Sequence, residues 1–177
     1  MKTRYGVIGV FVVLAIGLVG LLGSGYRPSS DAGAASLKNQ SQVVDQQFQS
    51  IDEAQAVTPF RIRQLSVPKG YRLGSATVRT QDALNGTSVL VTLTFVSASH
   101  DTVILQESST DYEVSFPGET TTTLATVNGV AGQAISGHNT SGVPVGCVRW
   151  KAQNLYFTLI RTHSTGPAIV PVANSVN

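Results

Sequence analysis

Residues 89–95 read VLVTLTF and decide the fold, because apolar side chains recur there at every second position. In an extended chain the odd-numbered residues, from Val89 to Phe95, line one side and the residues between them line the other. This alternation is typical of a β-strand with one buried face. We therefore predict a protein built on a β-sheet, with this segment as its clearest strand.

Turn residues divide the following sequence into short segments of the same kind. Asn128-Gly129 is the clearest turn, because both residues tolerate the positive φ that a two-residue type I′ hairpin requires. Ser66–Gly70 is another, with proline and glycine at turn positions. The pattern predicts eight or nine short antiparallel strands within residues 58–162. Besides 89–95, the predicted strands include residues 101–107, 112–116, 122–127, 130–136, 145–151 and 155–161.

One segment before the sheet has helical spacing instead. Apolar residues from Leu37 to Ile51 recur at intervals that place them on one side of a helix, and Pro59 disfavours helix at the residue before it. We predict an amphipathic helix over residues 37–56 that covers the sheet, which makes the fold class α+β. At the other end Pro171 interrupts the apolar tail, so at most one short helical turn is expected there.

The N-terminal sequence predicts a membrane segment. Residues 7–22, VIGVFVVLAIGLVGLL, carry no charge, and with their flanks they reach the length of about twenty residues that a helix needs to cross a bilayer. Lys2 and Arg4 precede this stretch, so the positive-inside rule places the N-terminus in the cytoplasm. We predict a short cytoplasmic segment at 1–5, a transmembrane signal-anchor helix at 6–25, a flexible linker at 26–36, and an extracytoplasmic β-rich domain at 37–177.

A cleaved signal peptide is the alternative, because it has the same basic start and apolar middle. Ala32-Gly33-Ala34 offers a site with small residues, but it lies ten residues beyond Leu22, which is far for cleavage. We favour the uncleaved anchor. The expected localisation is the cell membrane, in a single-pass arrangement with the C-terminal domain extracytoplasmic.

Charge is sparse and ordered along the chain. The net charge of +2 is too small to predict nucleic-acid binding. Every charge from Arg61 to Arg79 is basic, and every charge from Asp82 to Glu119 is acidic. One interpretation is that opposite charges pair across neighbouring strands. The other is a basic face turned toward anionic headgroups or wall polymers.

Residues that carry chemistry are few. No nucleophile elbow, phosphate-binding loop or zinc-ligand spacing occurs in the sequence, so we expect no enzyme activity, no cofactor and no metal site. Cys147, the only cysteine, cannot form an intrachain disulfide, and we expect it to be buried rather than bridged to another chain. Glu107, Asp111 and Glu113 lie beside a turn-like segment and are expected to be solvated.

Three aromatic residues are the candidate ligand or partner surface: Tyr71, Trp150 and Tyr156. Trp150 and Tyr156 fall on consecutive predicted strands. A single tryptophan on a central strand is most often part of the core. The alternative is an apolar groove, since ligand sites are mostly apolar with a few polar groups.

The order of several short motifs resembles a known family. The family is a bacterial domain of unknown function that lies outside the membrane after a single span, in anti-sigma-factor-like and outer-membrane-lipoprotein-sorting-like proteins. The resemblance covers roughly residues 58–162. The motifs are Val67-Pro68-Lys69-Gly70-Tyr71-Arg72-Leu73, the strands Val89–Phe95 and Val103–Glu107, the run Val127-Asn128-Gly129-Val130-Ala131-Gly132, and the strands that carry Trp150 and Tyr156.

The resemblance implies a curved antiparallel sheet similar to the open half-barrels of lipoprotein carriers and periplasmic stress sensors. The chain departs from that pattern at Pro167 and Pro171, where such domains tend to end in a regular helix. It also lacks a cytoplasmic zinc-binding anti-sigma module, since only five residues precede Gly6. We therefore expect no direct contact with a sigma factor.

These observations predict a non-enzymatic, membrane-anchored extracytoplasmic domain with a binding or regulatory, sensor-like role. Its partner is expected to be an envelope protein or an apolar ligand. The alternative is a lipid- or lipoprotein-handling module that binds acyl chains in the concave face of the sheet. A hydrolase is the least favoured reading, because no constellation of side chains supports one.

Overall fold

A computed structural model describes residues 42–83 and 86–177. Within these residues all the strands join in one antiparallel sheet, in the order β1-β2-β3-β4-β8-β7-β6-β5. The elements along the chain are β1 (Val43–Phe48), α1 (Ile51–Ala56), β2 (Tyr71–Ala83), β3 (Gly86–Ser97), β4 (Thr102–Ser108), β5 (Thr121–Val127), β6 (Val130–His138), β7 (Pro144–Ala152), β8 (Leu155–Thr162) and α2 (Gly166–Ala173).

The sheet consists of two meanders, β1–β4 and β5–β8, which meet where β4 pairs with β8. The connection from β4 to β5 therefore runs from the middle of the sheet to its far edge. Arg149 on β7 holds this connection, because its guanidinium donates to the Asp111 carboxylate and to the Tyr112 carbonyl, each at 2.7 Å. Strands β1 and β5 are the two edges.

The hydrophobic core lies on one side of the sheet, which we call the helix face. Strand register places Leu93, Leu105 and Leu159 next to one another on this face, and all three are fully buried. Each such side chain contributes roughly 1.5–3 kcal/mol on burial. Three elements cover the face: α1, the segment 57–70 that we call the covering segment, and α2 with the residues after it.

Helix α2 packs on β7 and β6 through close backbone contact. At Gly146 an added Cβ would meet the carbonyl of Thr165, and at Gly166 it would meet the backbone of Ala134 and Ile135. The absence of both side chains lets the helix begin directly against the sheet. Ile169 and Ala173 then reach the core and are fully buried.

The prediction of an antiparallel sheet is confirmed, including the turn at Asn128-Gly129, which joins β5 to β6 with φ of 49° and 81°. The predicted covering of the sheet is wrong. Residues 43–48, expected within a helix over 37–56, form edge strand β1, and only Ile51–Ala56 is helical. The open half-barrel under one N-terminal helix is thereby replaced by an eight-stranded sheet with two short helices.

The second correction concerns the C-terminal tail. Residues 166–173 form a helix of eight residues, where at most one short turn was expected. Pro167 lies in the first turn, where its missing N–H costs no internal bond, and Pro171 removes only one donor from so short a helix. Burial of Ile169 and Ala173 outweighs that loss.

The predicted segments 1–5, 6–25 and 26–36 lie outside the described residues. Within 42–83 and 86–177, neither helix has the length and apolar character that crossing a membrane requires.

Candidate functional site

An open cavity of about 480 Å³ lies at one end of the helix face. It is bounded by the β5–β6 turn, the β7–β8 turn, the covering segment and the chain after α2. Its volume falls in the range of roughly 300–1,000 Å³ that is typical of small-molecule sites. The lining residues are Arg63, Val127, Asn128, Val130, Trp150, Lys151, Ala152, Gln153, Phe157, Val176 and Asn177.

Two stacked aromatic rings form the apolar wall of this cavity. Trp150 on β7 and Phe157 on β8 are directly opposite in register, and their ring centroids are 5.1 Å apart with planes inclined by 11°. Gly132, the neighbour of Trp150 on β6, leaves room for this pair, because an added Cβ would come within 3.1 Å of the Trp150 Cβ. The wall therefore depends on a large residue and a glycine side by side.

Backbone hydrogen bonds fix the far side of the cavity. Gln64 and Asn177 exchange two backbone bonds of 3.1 Å, which join the covering segment to the residues after α2. Asn128 in the β5–β6 turn attaches the residues after α2 to the sheet. Its backbone N–H donates to Asn174 Oδ1 at 2.8 Å, and its side-chain amide donates to the Val176 carbonyl at 3.0 Å.

The charged side chains of the lining are both basic. They are Arg63 and Lys151, and no aspartate or glutamate is among the lining residues. Lys151 Nζ lies 3.2 Å from the Tyr156 hydroxyl and 4.7 Å from the centre of that ring, so its closest partner is neutral. In the described part of the chain, no carboxylate lies within 4 Å of the Arg63 guanidinium. Because Tyr156 lies on the face opposite to the Trp150–Phe157 pair, the Lys151 ammonium points away from the cavity, and Arg63 is the basic residue that contributes positive charge to its wall.

Beneath the covering segment lies a buried carboxyl group that sequence reasoning missed. Glu107 is fully buried on the helix face, between Val91 and Phe157 in register. Its Oε1 accepts the backbone N–H of Arg63 at 2.8 Å, whereas its Oε2 has no hydrogen-bond partner within the described residues. Loss of hydration raises the pKa of Glu107 to about 7, against the opposing effect of the Arg63 N–H and charge.

The expectation that Glu107, Asp111 and Glu113 are solvated is therefore wrong for Glu107 and holds for the other two, which are exposed. The alternation of β4 contains the signal that finds Glu107. Val103 and Leu105 are buried on the helix face, and Glu107 is the next residue with the same parity.

The structure places the three predicted aromatic residues in different surroundings. Trp150 is buried in the hydrophobic core, as the core interpretation predicts, and it also lines the cavity. Tyr156 lies on the opposite face, beneath Lys151. Tyr71 lies on the helix face near Arg161, with 5.9 Å between its ring centre and the guanidinium carbon, and Arg161 is four residues along β8 from Phe157. The role of the three as a ligand or partner surface stays a prediction.

Cys147 and His163 lie in different surroundings. Cys147 is buried, and burial raises the pKa of its thiol to about 12 although Arg149 lowers it. A thiol in that state is a poor nucleophile. His163 is exposed and contacts Asp101, with 2.6 Å between Nδ1 and Oδ1. No group of three metal-binding side chains occurs among residues 42–83 and 86–177.

Comparison with known proteins adds no assignment to this site. The chain matches no protein-family model, and neither the curated proteins nor the solved structures contain a match.

Proposed function

We propose that the chain is a binding domain without catalytic activity and that its cavity holds a small amphipathic anion, an apolar chain that ends in an acidic group. The observation that carries the proposal is that the stacked, largely buried Trp150–Phe157 pair lines a cavity of about 480 Å³ beside the basic residue Arg63. An apolar wall with a few polar groups at its edge is the usual composition of a small-molecule site.

The apolar wall supports the choice of a hydrocarbon chain. Val127, Val130 and Val176 continue the surface of the Trp150–Phe157 pair around the cavity. Burial of a methylene group contributes about 0.8 kcal/mol, so several methylenes give measurable affinity without any specific polar contact.

The basic residue Arg63 supports an acidic headgroup. Arg63 lines the wall, and a guanidinium beside a carboxylate or phosphate forms charge-assisted hydrogen bonds. The charge of Arg63 also disfavours a cationic ligand of equal size. The proposal thus favours the lipid-handling interpretation over a purely protein-binding one.

The N-terminal sequence supports a place for this activity outside the cytoplasm, at the cell membrane. Residues 7–22 are uncharged and follow Lys2 and Arg4, as in a membrane anchor or a secretory signal. An acyl-chain ligand fits that location, because membranes supply such chains with acidic headgroups.

The test is calorimetric titration of residues 38–177, a compact unit with its own core. Three ligands share one chain length and differ in their head group: decanoate, decanol and decylamine. We expect decanoate to bind about tenfold more tightly than decanol, because it gains a charge-assisted bond, and decylamine to bind most weakly.

Two variants locate the headgroup. Arg63→Gln removes the proposed partner and is expected to abolish the preference for decanoate over decanol. Lys69→Gln is the matched control, since Lys69 is an exposed base of the same covering segment that does not line the cavity. Equal affinity for all three ligands, or no binding of any, rejects the proposal.

A further inference from the structure

Within residues 42–83 and 86–177 no further strand pairs with the outer side of edge strand β5, and β5 carries no charge. Leu124, at its centre, is 93% exposed, which makes it the most exposed large apolar side chain of the described residues. No charged residue occurs between Thr120 and Gly137, so the whole β5–β6 hairpin lacks charge.

The opposite edge of the sheet is different. Strand β1 carries Asp45, which pairs with Arg79 of β2 through two hydrogen bonds of 2.7 and 2.8 Å. Charges on an edge strand hinder pairing with a further strand, and long uncharged edges favour it. By this criterion β5 is the edge that accepts a partner strand.

The hydrogen-bond pattern of the hairpin fixes which backbone groups are open. A two-residue turn at Asn128-Gly129 makes Val127 and Val130 a hydrogen-bonded pair. Since alternate residues of an edge strand bond inward, Ala125 and Thr123 bond to β6 as Val127 does. The N–H and C=O groups of Thr122, Leu124 and Thr126 therefore point away from the sheet.

We propose that β5 pairs in antiparallel register with β5 of a second copy of this chain, about a two-fold axis at Leu124. The three outward-facing residues are spaced symmetrically about that residue. In the paired arrangement Leu124 lies opposite Leu124 of the second copy, and Thr122 lies opposite Thr126. Every outward N–H and C=O of these residues then finds a partner.

The side chains fit a second copy better than an unrelated strand. At the two-fold axis the two Leu124 side chains contact each other. Thr122 of each chain faces Thr126 of the other, and such cross-strand threonine pairs stabilise antiparallel strands. No like charges meet, because each strand is neutral over its whole length. An isologous contact of this kind closes after two copies.

Cysteine cross-linking of the full chain in its membrane or cellular setting tests the register. Leu124→Cys places two thiols across the axis, within the Cα separation of 4.4–6.8 Å that a disulfide accepts. Thr126→Cys is the matched control on the same face of the same edge. In the paired arrangement the thiols that Thr126→Cys introduces into the two chains are offset by about four residues along the strands, or roughly 13 Å, and are not expected to cross-link.

The double variant Thr122→Cys/Thr126→Cys restores a facing pair and is expected to cross-link again. The unmodified chain gives the background, because its one thiol, Cys147, is buried. Thr122 and Thr126 are both exposed, so we expect their substitution to leave the fold intact. Failure of Leu124→Cys to form a disulfide-linked dimer overturns the proposal, as does equal cross-linking of Thr126→Cys alone.

Discussion

The backbone N–H of Arg63 donates to the buried carboxylate oxygen Oε1 of Glu107 over 2.8 Å. This bond attaches the covering segment to the centre of β4, at a point where the neighbouring strand carries Phe157 of the cavity wall. Arg63 thus has two structural roles. The N–H of Arg63 fixes the segment, and the same residue lines the cavity.

Glu107 makes stability depend on pH. Its pKa is about 7 in the folded chain and about 4.5 in the unfolded one, so the folded state binds the proton more tightly. The free energy of unfolding is therefore highest below about pH 4.5, falls as pH rises from there to about 7, and is then constant as far as Glu107 is concerned.

The variant Glu107→Gln measures this effect. Glutamine has the shape of the protonated acid and still accepts from Arg63 N–H, so at pH 4.5 we expect similar stabilities of variant and parent. At pH 8 the variant is expected to be more stable by about 3 kcal/mol, the energy that corresponds to the pKa shift. Urea unfolding at the two pH values gives the comparison. Glu119→Gln, at an exposed position, is the control. If the stability of Glu107→Gln depends on pH in the same way as that of the parent chain, Glu107 is not the source of the pH dependence.

The Cys147 thiol is expected to be unreactive in the folded chain. It is fully buried and its pKa is raised to about 12, so almost no thiolate exists at pH 8. A disulfide reagent that absorbs on reaction is expected to titrate no thiol in native protein and one per chain in guanidinium chloride. Immediate reaction of the native thiol shows that this part of the sheet is open.

Gly146 controls how α2 sits on the sheet. In Gly146→Ala the new Cβ meets the backbone of Thr165 and Gly166, which cannot move without lifting the helix. We expect a loss of at least about 3 kcal/mol in unfolding free energy, from overpacking together with exposure of Ile169. Gly142→Ala is the comparison. Nothing lies within 4 Å of its added Cβ, and only the backbone strain at φ +74° opposes it. Equal losses in both variants argue against the close contact.

The sequence could predict the strands but not what covers them, and β1 shows why. Val44 and Phe48 are four residues apart, a spacing that places two side chains on the same side of a helix and also on the same side of a strand. Pairing with β2 decides between them, and the sequence does not contain that information. Ser50 and Glu53 do mark where the helix begins, because the Ser50 hydroxyl accepts the Glu53 N–H at 3.2 Å.

The cavity was predictable only in part. Trp150 could be singled out by its residue type, but its stacking partner Phe157 and the nearby Arg63 are brought together by β7–β8 register and by a segment without regular structure. The burial of Glu107 was not predicted because charged residues are rarely fully buried. The alternation of β4, which places Glu107 on the same face as Val103 and Leu105, indicates burial instead.

The most direct measurement uses Trp150, the only tryptophan in the chain, as a reporter of the cavity. A fatty acid with bromine atoms near the end of its chain quenches indole fluorescence only at contact distance. Titration of the folded domain with this acid is expected to reduce the Trp150 fluorescence until it reaches a plateau. Addition of the unbrominated acid is expected to restore the fluorescence by displacing the brominated one. Fluorescence that does not change, or quenching that rises linearly without saturation, contradicts the assignment of the cavity as the ligand site.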